Sequence, residues 1–85
     1  MYYILAVFRS RTETLNFASL LRSYGQIASI ISTPRECGSG CGICVKFMPN
    51  VLGGARRLVA QKQYETFSGF FSVKIVNGRQ ELTRI

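Results

Sequence analysis

Tyr2-Tyr3-Ile4-Leu5-Ala6-Val7-Phe8 runs directly into Arg9-Ser10-Arg11-Thr12-Glu13. The first stretch is apolar and rich in aromatic and β-branched residues, the composition of a strand. The second fits a capping box. The Ser10 hydroxyl accepts from a backbone N–H of the first helical turn, and Glu13 reaches back toward the serine. Helical spacing then follows in Phe17, Leu20, Leu21 and Tyr24, with Leu15 and Ala18 beside them, until Gly25 supplies a left-handed stop. The head of the chain is therefore a strand over 2–8 followed by a helix over 11–24.

Outward from this unit, Ile27 to Thr33 alternates apolar and small residues, which predicts a second strand over 27–33, ended by Pro34. Gly38, Gly40 and Gly42 make the next stretch a loop. Ile43, Val45 and Phe47 alternate with Cys44 and Lys46, predicting a third strand over 42–48. Pro49-Asn50 ends it and opens a helix over 50–63, whose stripe is Val51, Leu52, Ala55, Leu58 and Val59. Gly53 and Gly54 each cost about 1 kcal/mol relative to alanine, so that helix starts late or packs closely on a neighbour. A fourth strand is expected over 70–76. Asn77-Gly78 is a two-residue hairpin turn, which folds Arg79–Arg84 back as a short fifth strand.

The order strand, helix, strand, strand, helix, strand is the ferredoxin-like βαββαβ pattern. It is an α+β sandwich: an antiparallel sheet, both helices on one face, here with a C-terminal hairpin extension. One domain over residues 1–85 is expected. The pattern also assigns positions. Strand 1 lies antiparallel to strand 3, so Arg9 and Ser10 share an edge with Cys41 and Gly42. The N-terminus of the first helix and the 33–40 loop lie at that edge too, which groups Arg9, Arg11 and Arg35 around Cys41. On the face away from the helices, Tyr3, Leu5 and Val7 form an apolar patch, unless Arg79–Arg84 covers it. Left open, that patch implies weak homodimerisation.

Composition narrows the chemistry. Eleven Lys and Arg against four acids give a net charge of +7, which favours an anionic partner or substrate: nucleic acid, an acidic protein, or a charged sulfur or phosphate group. The chain has no His and no Asp. That excludes Ser-His-Asp and Cys-His catalysis within the chain, and any His-containing metal site. The four acids are all Glu and are scattered, which disfavours paired-carboxylate chemistry. No apolar run reaches a membrane span and no basic segment precedes an early apolar run, so the expected location is the cytoplasm, with no membrane partner.

The chemistry that remains is in Cys37-Gly38-Ser39-Gly40-Cys41-Gly42-Ile43-Cys44. Buried, inert thiols suit mid-strand Cys44 and do not suit Cys41, which has a glycine on each side. The spacing matches the cluster motif of radical S-adenosylmethionine enzymes, but those need a large barrel. A site built from Cys37, Cys41 and Cys44 is one thiolate short of the usual four ligands. A disulfide leaves one cysteine over. The fourth reading is a carrier thiolate. A cysteine at a helix N-terminus among arginines is favoured as thiolate, and flanking glycines let a partner's active site approach. On this reading Cys41 is the most reactive thiol, Cys37 an intermediate one that resolves a persulfide, and Cys44 the slowest; no cofactor is called for.

The run Thr33-Pro34-Arg35-Glu36, the glycine/serine-rich stretch, then Cys41-Gly42 and a strand ending in Lys46-Phe47, resembles the putative selenium/sulfur carrier protein-like family. The resemblance implies a ferredoxin-like carrier with Cys41 as its functional cysteine, and carries over Thr33, Pro34, Arg35, Glu36 and Gly42 by position. Cys37 and Cys44 depart from it. A carrier of this kind takes its atom from a cysteine desulfurase or a comparable donor, and delivers it to a selenium- or sulfur-accepting enzyme. The general readings of the same residues stand beside these: Pro34 as a strand terminator, Arg35 and Glu36 as a solvated pair, Gly42 as backbone entry to strand 3. Two rival classes remain open at this stage. One is a nucleic-acid module using Tyr2, Tyr3 and Phe47 as stacking aromatics, although 42–48 lacks the RNA-recognition signature. The other is a protein-docking module.

Overall fold

The computed structural model describes residues 2–38 and 40–85. The chain forms strand β1 (Tyr2–Phe8), helix α1 (Arg11–Ser23), β2 (Ser29–Ser32), β3 (Ile43–Phe47), α2 (Leu52–Lys62), β4 (Phe67–Val76) and β5 (Arg79–Arg84), with short 3-10 turns at Arg35–Cys37 and Pro49–Val51. The five strands make one sheet in the order β2-β3-β1-β4-β5, with every neighbouring pair antiparallel. The first four strands have the ferredoxin-like order, and β5 extends the sheet beyond β4.

Alternation along the strands divides the core into two faces. One face holds Ile4, Ala6, Phe8, Val45, Phe47 and Phe70, and both helices cover it with Phe17, Ala18, Leu21, Ala55 and Leu58. Aromatic contacts dominate its end nearest α1. Phe8 meets Phe17 at 5.3 Å and Phe67 at 5.2 Å between ring centroids, and Tyr64 stands edge-on to Phe8 at 5.2 Å. Each such pair contributes about 0.5–1.5 kcal/mol beyond the area it buries.

The other face is also closed. Tyr3, Leu5, Val7, Cys44, Phe71 and Val73 are buried there with Cys37, and Ile31, Ile75 and Leu82 pack against them. Of the two alternatives for Tyr3, Leu5 and Val7, the covered one is found: these residues are 5%, 0% and 0% exposed. The 3-10 turn brings Cys37 over one end. The hairpin brings Leu82 over the middle, and the Gln80 side chain donates to the Tyr3 hydroxyl at 3.3 Å. Lys46 lays its ammonium 4.4 Å above the Tyr3 ring. Long basic side chains cover apolar surface with their stems in this way. These residues therefore offer no apolar surface to a second copy, and the homodimer inferred from them loses its basis.

Three element boundaries and one capping contact differ from the sequence expectation. β2 is shorter, because Arg22 at the end of α1 donates from Nε and Nη2 to the Ala28 carbonyl at 3.0 and 2.8 Å and holds the chain before Ser29 as a loop. Ile27 is consequently 83% exposed. β4 begins earlier, at Phe67, because a register shift between Val7 and Phe8 passes over Ser68 and carries the ladder on to Phe67. α2 begins at Leu52 after the 3-10 turn, with Pro49 at that turn's start.

The fourth correction concerns the capping box. Its first half holds: the Ser10 hydroxyl accepts from Glu13 N at 3.2 Å. Glu13 does not reach back. Its carboxylate accepts from the backbone N–H of Glu65 and Thr66 and from the Thr66 hydroxyl, while Ser10 N donates to Thr66 Oγ1 at 3.2 Å. Three donors from the loop before β4 outweigh the single amide that the local motif offers. The Thr66 hydroxyl bond, helped by the two amides and by Arg9, holds the Glu13 carboxyl below its usual pKa.

Candidate functional site

The loop from Thr33 to Gly42 is closed at its base by Thr33 N donating to the Gly42 carbonyl at 3.0 Å. Pro34, extended at φ −61°, ends β2 and starts the 3-10 turn of Arg35, Glu36 and Cys37. Gly38 and Gly42 stand at φ +81° and +94°, conformations that cost a side-chain-bearing residue. Two left-handed turns thus lift the segment out of the ladder, then return it to β3, and Cys41 lies just before the second.

Cys41 is half-buried and pinned from both sides. Its N–H donates to the Phe8 carbonyl at 3.4 Å, which ties it to the end of β1. Its sulfur lies 3.5 Å from Thr14 Oγ1, in the first turns of α1, and 3.5 Å from the Ile43 carbonyl. Thr14 is fully buried, and its hydroxyl also donates to the Ser10 carbonyl at 2.8 Å. The expected meeting of Cys41 with the N-terminal turn of α1 is therefore present. As a thiol, Cys41 donates to Ile43 O or Thr14 Oγ1. As a thiolate it can only accept, and the Thr14 hydroxyl is the donor within reach.

The arginines stand differently from the expectation. Among the described residues, the polar partners of the Cys41 sulfur are Thr14 and Ile43, and none is a guanidinium. Arg9 is exposed and donates to the Glu65 carbonyl at 3.5 Å. Arg11 and Arg35 are exposed, Arg11 opening α1 and Arg35 opening the 3-10 turn. Topology brings these residues to one edge of the sheet, but their long side chains turn outward to solvent.

The other two thiols belong to the opposite face. Cys44 is fully buried, across from Val7 on one side and Ile31 on the other. Burial pushes its pKa up to about 11. The Thr33 hydroxyl opposes that shift, although its oxygen has no partner at hydrogen-bonding geometry. Cys37 is 7% exposed. Burial, aided by the Glu36 carboxylate beside it, raises its pKa as well. The 3-10 turn folds the Cys37 side chain into the cluster that holds Val7 and Cys44. Among the described residues no three potential ligands gather into a group able to hold a metal ion, so the Cys37, Cys41, Cys44 set is not assembled. The stacking aromatics of the nucleic-acid reading are dispersed too: Tyr3 and Phe47 are buried on opposite faces.

Sequence reasoning missed Thr14, Thr66 and Arg84. For Thr14 there was a signal: it falls on the same helical stripe as Phe17, Ala18 and Leu21, a polar residue at a core position. Thr66 and Arg84 gave none, since each acts on residues distant in the chain.

The βαββαβ sheet thus presents Cys41, flanked by Gly40 and Gly42, beside the first turns of α1. The family model described as Putative Se/S carrier protein-like matches residues 2–69, and the chain belongs to that family. The match takes in β1 through the start of β4, and so includes the whole cysteine loop and both helices; β5 lies beyond it. No curated protein and no solved structure matches the chain. Among the described residues no helix is long and apolar enough to cross a membrane.

Proposed function

We propose that this chain carries sulfur or selenium on Cys41 and hands the atom to a partner enzyme. One observation supports this most strongly: of the three cysteines, two are buried with raised pKa values, and Cys41 alone stands half-exposed on a turn. Family membership points the same way.

The transfer needs no oxidant. The Cys41 thiolate attacks the outer sulfur of a donor persulfide, such as that of a cysteine desulfurase. A new S–S bond forms at Cys41 as the old one breaks, and the donor thiolate leaves with the bonding pair. Delivery is the same step in reverse sense: an acceptor nucleophile takes the outer sulfur, and Cys41 departs as thiolate. Selenium in the outer position follows the same course. The Thr14 hydroxyl, turning from Ser10 O to the sulfur, steadies Cys41 whenever it is anionic. Gly42 and the Thr33–Glu36 turn hold the loop that presents it. Alternatively, Cys37 attacks Cys41's inner sulfur, expelling the outer atom as hydrosulfide and leaving a Cys37–Cys41 disulfide. That route requires the 3-10 turn to lift Cys37 off the outer-face cluster.

Loading from a cysteine desulfurase, read by intact mass, tests this reading. The parent gains one sulfur atom that reductant removes, and Cys41→Ser gains none. Equal loading of Cys41→Ser overturns it. Cys37→Ala separates the two release routes. Under direct delivery it loads and unloads like the parent. Under resolution by Cys37 it loads but no longer releases hydrosulfide.

A further inference from the structure

The edge of the sheet near the cysteine loop contains a cleft of about 500 Å³, lined by Arg9, Cys37, Gly38, Phe67, Ser68 and Arg84. Arg84 comes from β5, outside the family match. Its placement is built into the sheet. Gly69 faces Val7 across the β1–β4 ladder. A Cβ at Gly69 would lie 2.9 Å from Arg84 Nη2 and 3.0 Å from Cζ, so the guanidinium occupies the space a side chain there would fill. Gly69 also stands at φ +149°, which disfavours any other residue. The same guanidinium lies 5.4 Å from the Phe71 ring centroid and donates from Nη2 to the Ser68 carbonyl.

These contacts fix the position of Arg84 without neutralising it. A carbonyl, a ring face and a glycine backbone supply no negative charge. Arg9, on the same cleft, is likewise tied to a carbonyl, that of Glu65. Arg9 couples to the Glu13 carboxylate, whose oxygens already accept from the Glu65 and Thr66 amides and the Thr66 hydroxyl. With eleven cationic side chains against four acidic ones, at least seven cations have no side-chain carboxylate of their own. Each guanidinium has five N–H donors and spends one on the protein. Two such forks in one cleft repel each other unless an anion lies between them. The Ser68 hydroxyl on the same wall is buried without a partner.

We infer that this cleft binds a small tetrahedral dianion, phosphate or thiosulfate in chemical class, between Arg9 and Arg84. Planar guanidinium forks match such oxyanions in geometry as well as charge. Cys37 lines the cleft and Cys41 does not, so binding is expected to be independent of Cys41 loading.

Amide chemical shifts of the full chain, titrated with inorganic phosphate, thiosulfate and chloride at matched ionic strength, test the inference. Phosphate or thiosulfate is expected to shift Gly38, Ser68 and Gly69 saturably, with a Kd of about 1 mM or tighter, and chloride to shift them little. The comparison of the two dianions tells a phosphate site from a sulfur-donor site. Arg84→Gln is expected to weaken binding by at least about tenfold while Cys41 loads as in the parent, and Arg84→Lys to fall between. The parent titration decides the matter even if Arg84→Gln does not fold. Shifts equal for chloride and the dianions, undiminished binding in a folded Arg84→Gln, or tighter binding of a short single-stranded oligonucleotide than of either dianion would each overturn it.

Discussion

Cys41 and Cys44 are close neighbours in the chain, yet they lie in different chemical settings. Cys44 is in mid-strand, between Val7 and Ile31 on the outer face, where burial pushes its thiol up to about 11. Cys41 precedes a left-handed glycine, on the helix side, with its sulfur against the first turns of α1. The residue type is the same; the face of the sheet and the ladder's end decide which sulfur is buried. On the proposed carrier reading one accessible sulfur is required, and the fold leaves Cys41 half-buried while Cys37 and Cys44 are buried.

The largest expected effect comes from breaking the helix-covered face. Phe8→Ala removes a ring in contact with Phe17, Tyr64 and Phe67, and should cost about 3–5 kcal/mol in a urea melt. That is much of the ~5–15 kcal/mol total of a typical domain. Leu5→Ala, on the outer face, should cost about 2–5 kcal/mol if that face is as closed as its burial indicates. A cost well below 1 kcal/mol would mean that the outer face is open in solution.

Cys44→Ser sharpens the comparison from the other side. A hydroxyl replaces a buried thiol and should cost about 1–3 kcal/mol, while sulfur loading on Cys41 stays intact. Thr14→Val keeps the volume of the buried side chain but removes the donor 3.5 Å from Cys41. We expect the rate of Cys41 alkylation at neutral pH to fall roughly three- to tenfold, the equivalent of about 0.5–1.5 kcal/mol for one hydrogen bond. Melting should change little, because Ser10 O keeps its bond from Thr14 N. An unchanged rate would leave Thr14 as packing alone.

The remaining effects are in the pH dependence of stability. Cys44 has a folded pKa raised from 9.0 to about 11. On raising the pH the unfolded chain ionises first, so the stabilisation is full below 9.0 and is lost as pH rises toward 11. Glu13 has the opposite sign. Its folded pKa is lowered from 4.5, so its contribution is present above that value and is lost as the pH falls through the folded pKa. Denaturant melts should therefore weaken at both ends, with Cys44→Ala reducing the alkaline loss, to which Cys37 and Tyr64 also contribute, and Glu13→Gln reducing the acid one.

How far these features were legible in the sequence depends on how local their causes are. Period-two alternation at Ile43–Phe47, the helical stripe from Phe17 to Leu21 and the Asn77-Gly78 turn each act over a few residues, and they predicted the βαββαβ order and the hairpin. The position of Cys41 beside α1 followed from topology alone. What was not legible depends on long-range competition. Glu13 leaves its own cap for Thr66, and Arg84 fills the space above Gly69. The outer face is closed by a loop and a hairpin that no periodicity describes. The sequence also grouped Arg9, Arg11 and Arg35 around Cys41, because backbone proximity does not determine where a long exposed side chain points.

The central claim is that folding makes one of three chemically identical thiols reactive. Site-resolved alkylation, read by peptide mass over graded times and pH, tests it most directly. In the native protein Cys41 should be modified first by a wide margin, with Cys37 and then Cys44 protected, and in denaturant all three should react at similar rates. Cys37 or Cys44 reacting as fast as Cys41 in the native protein would contradict the account.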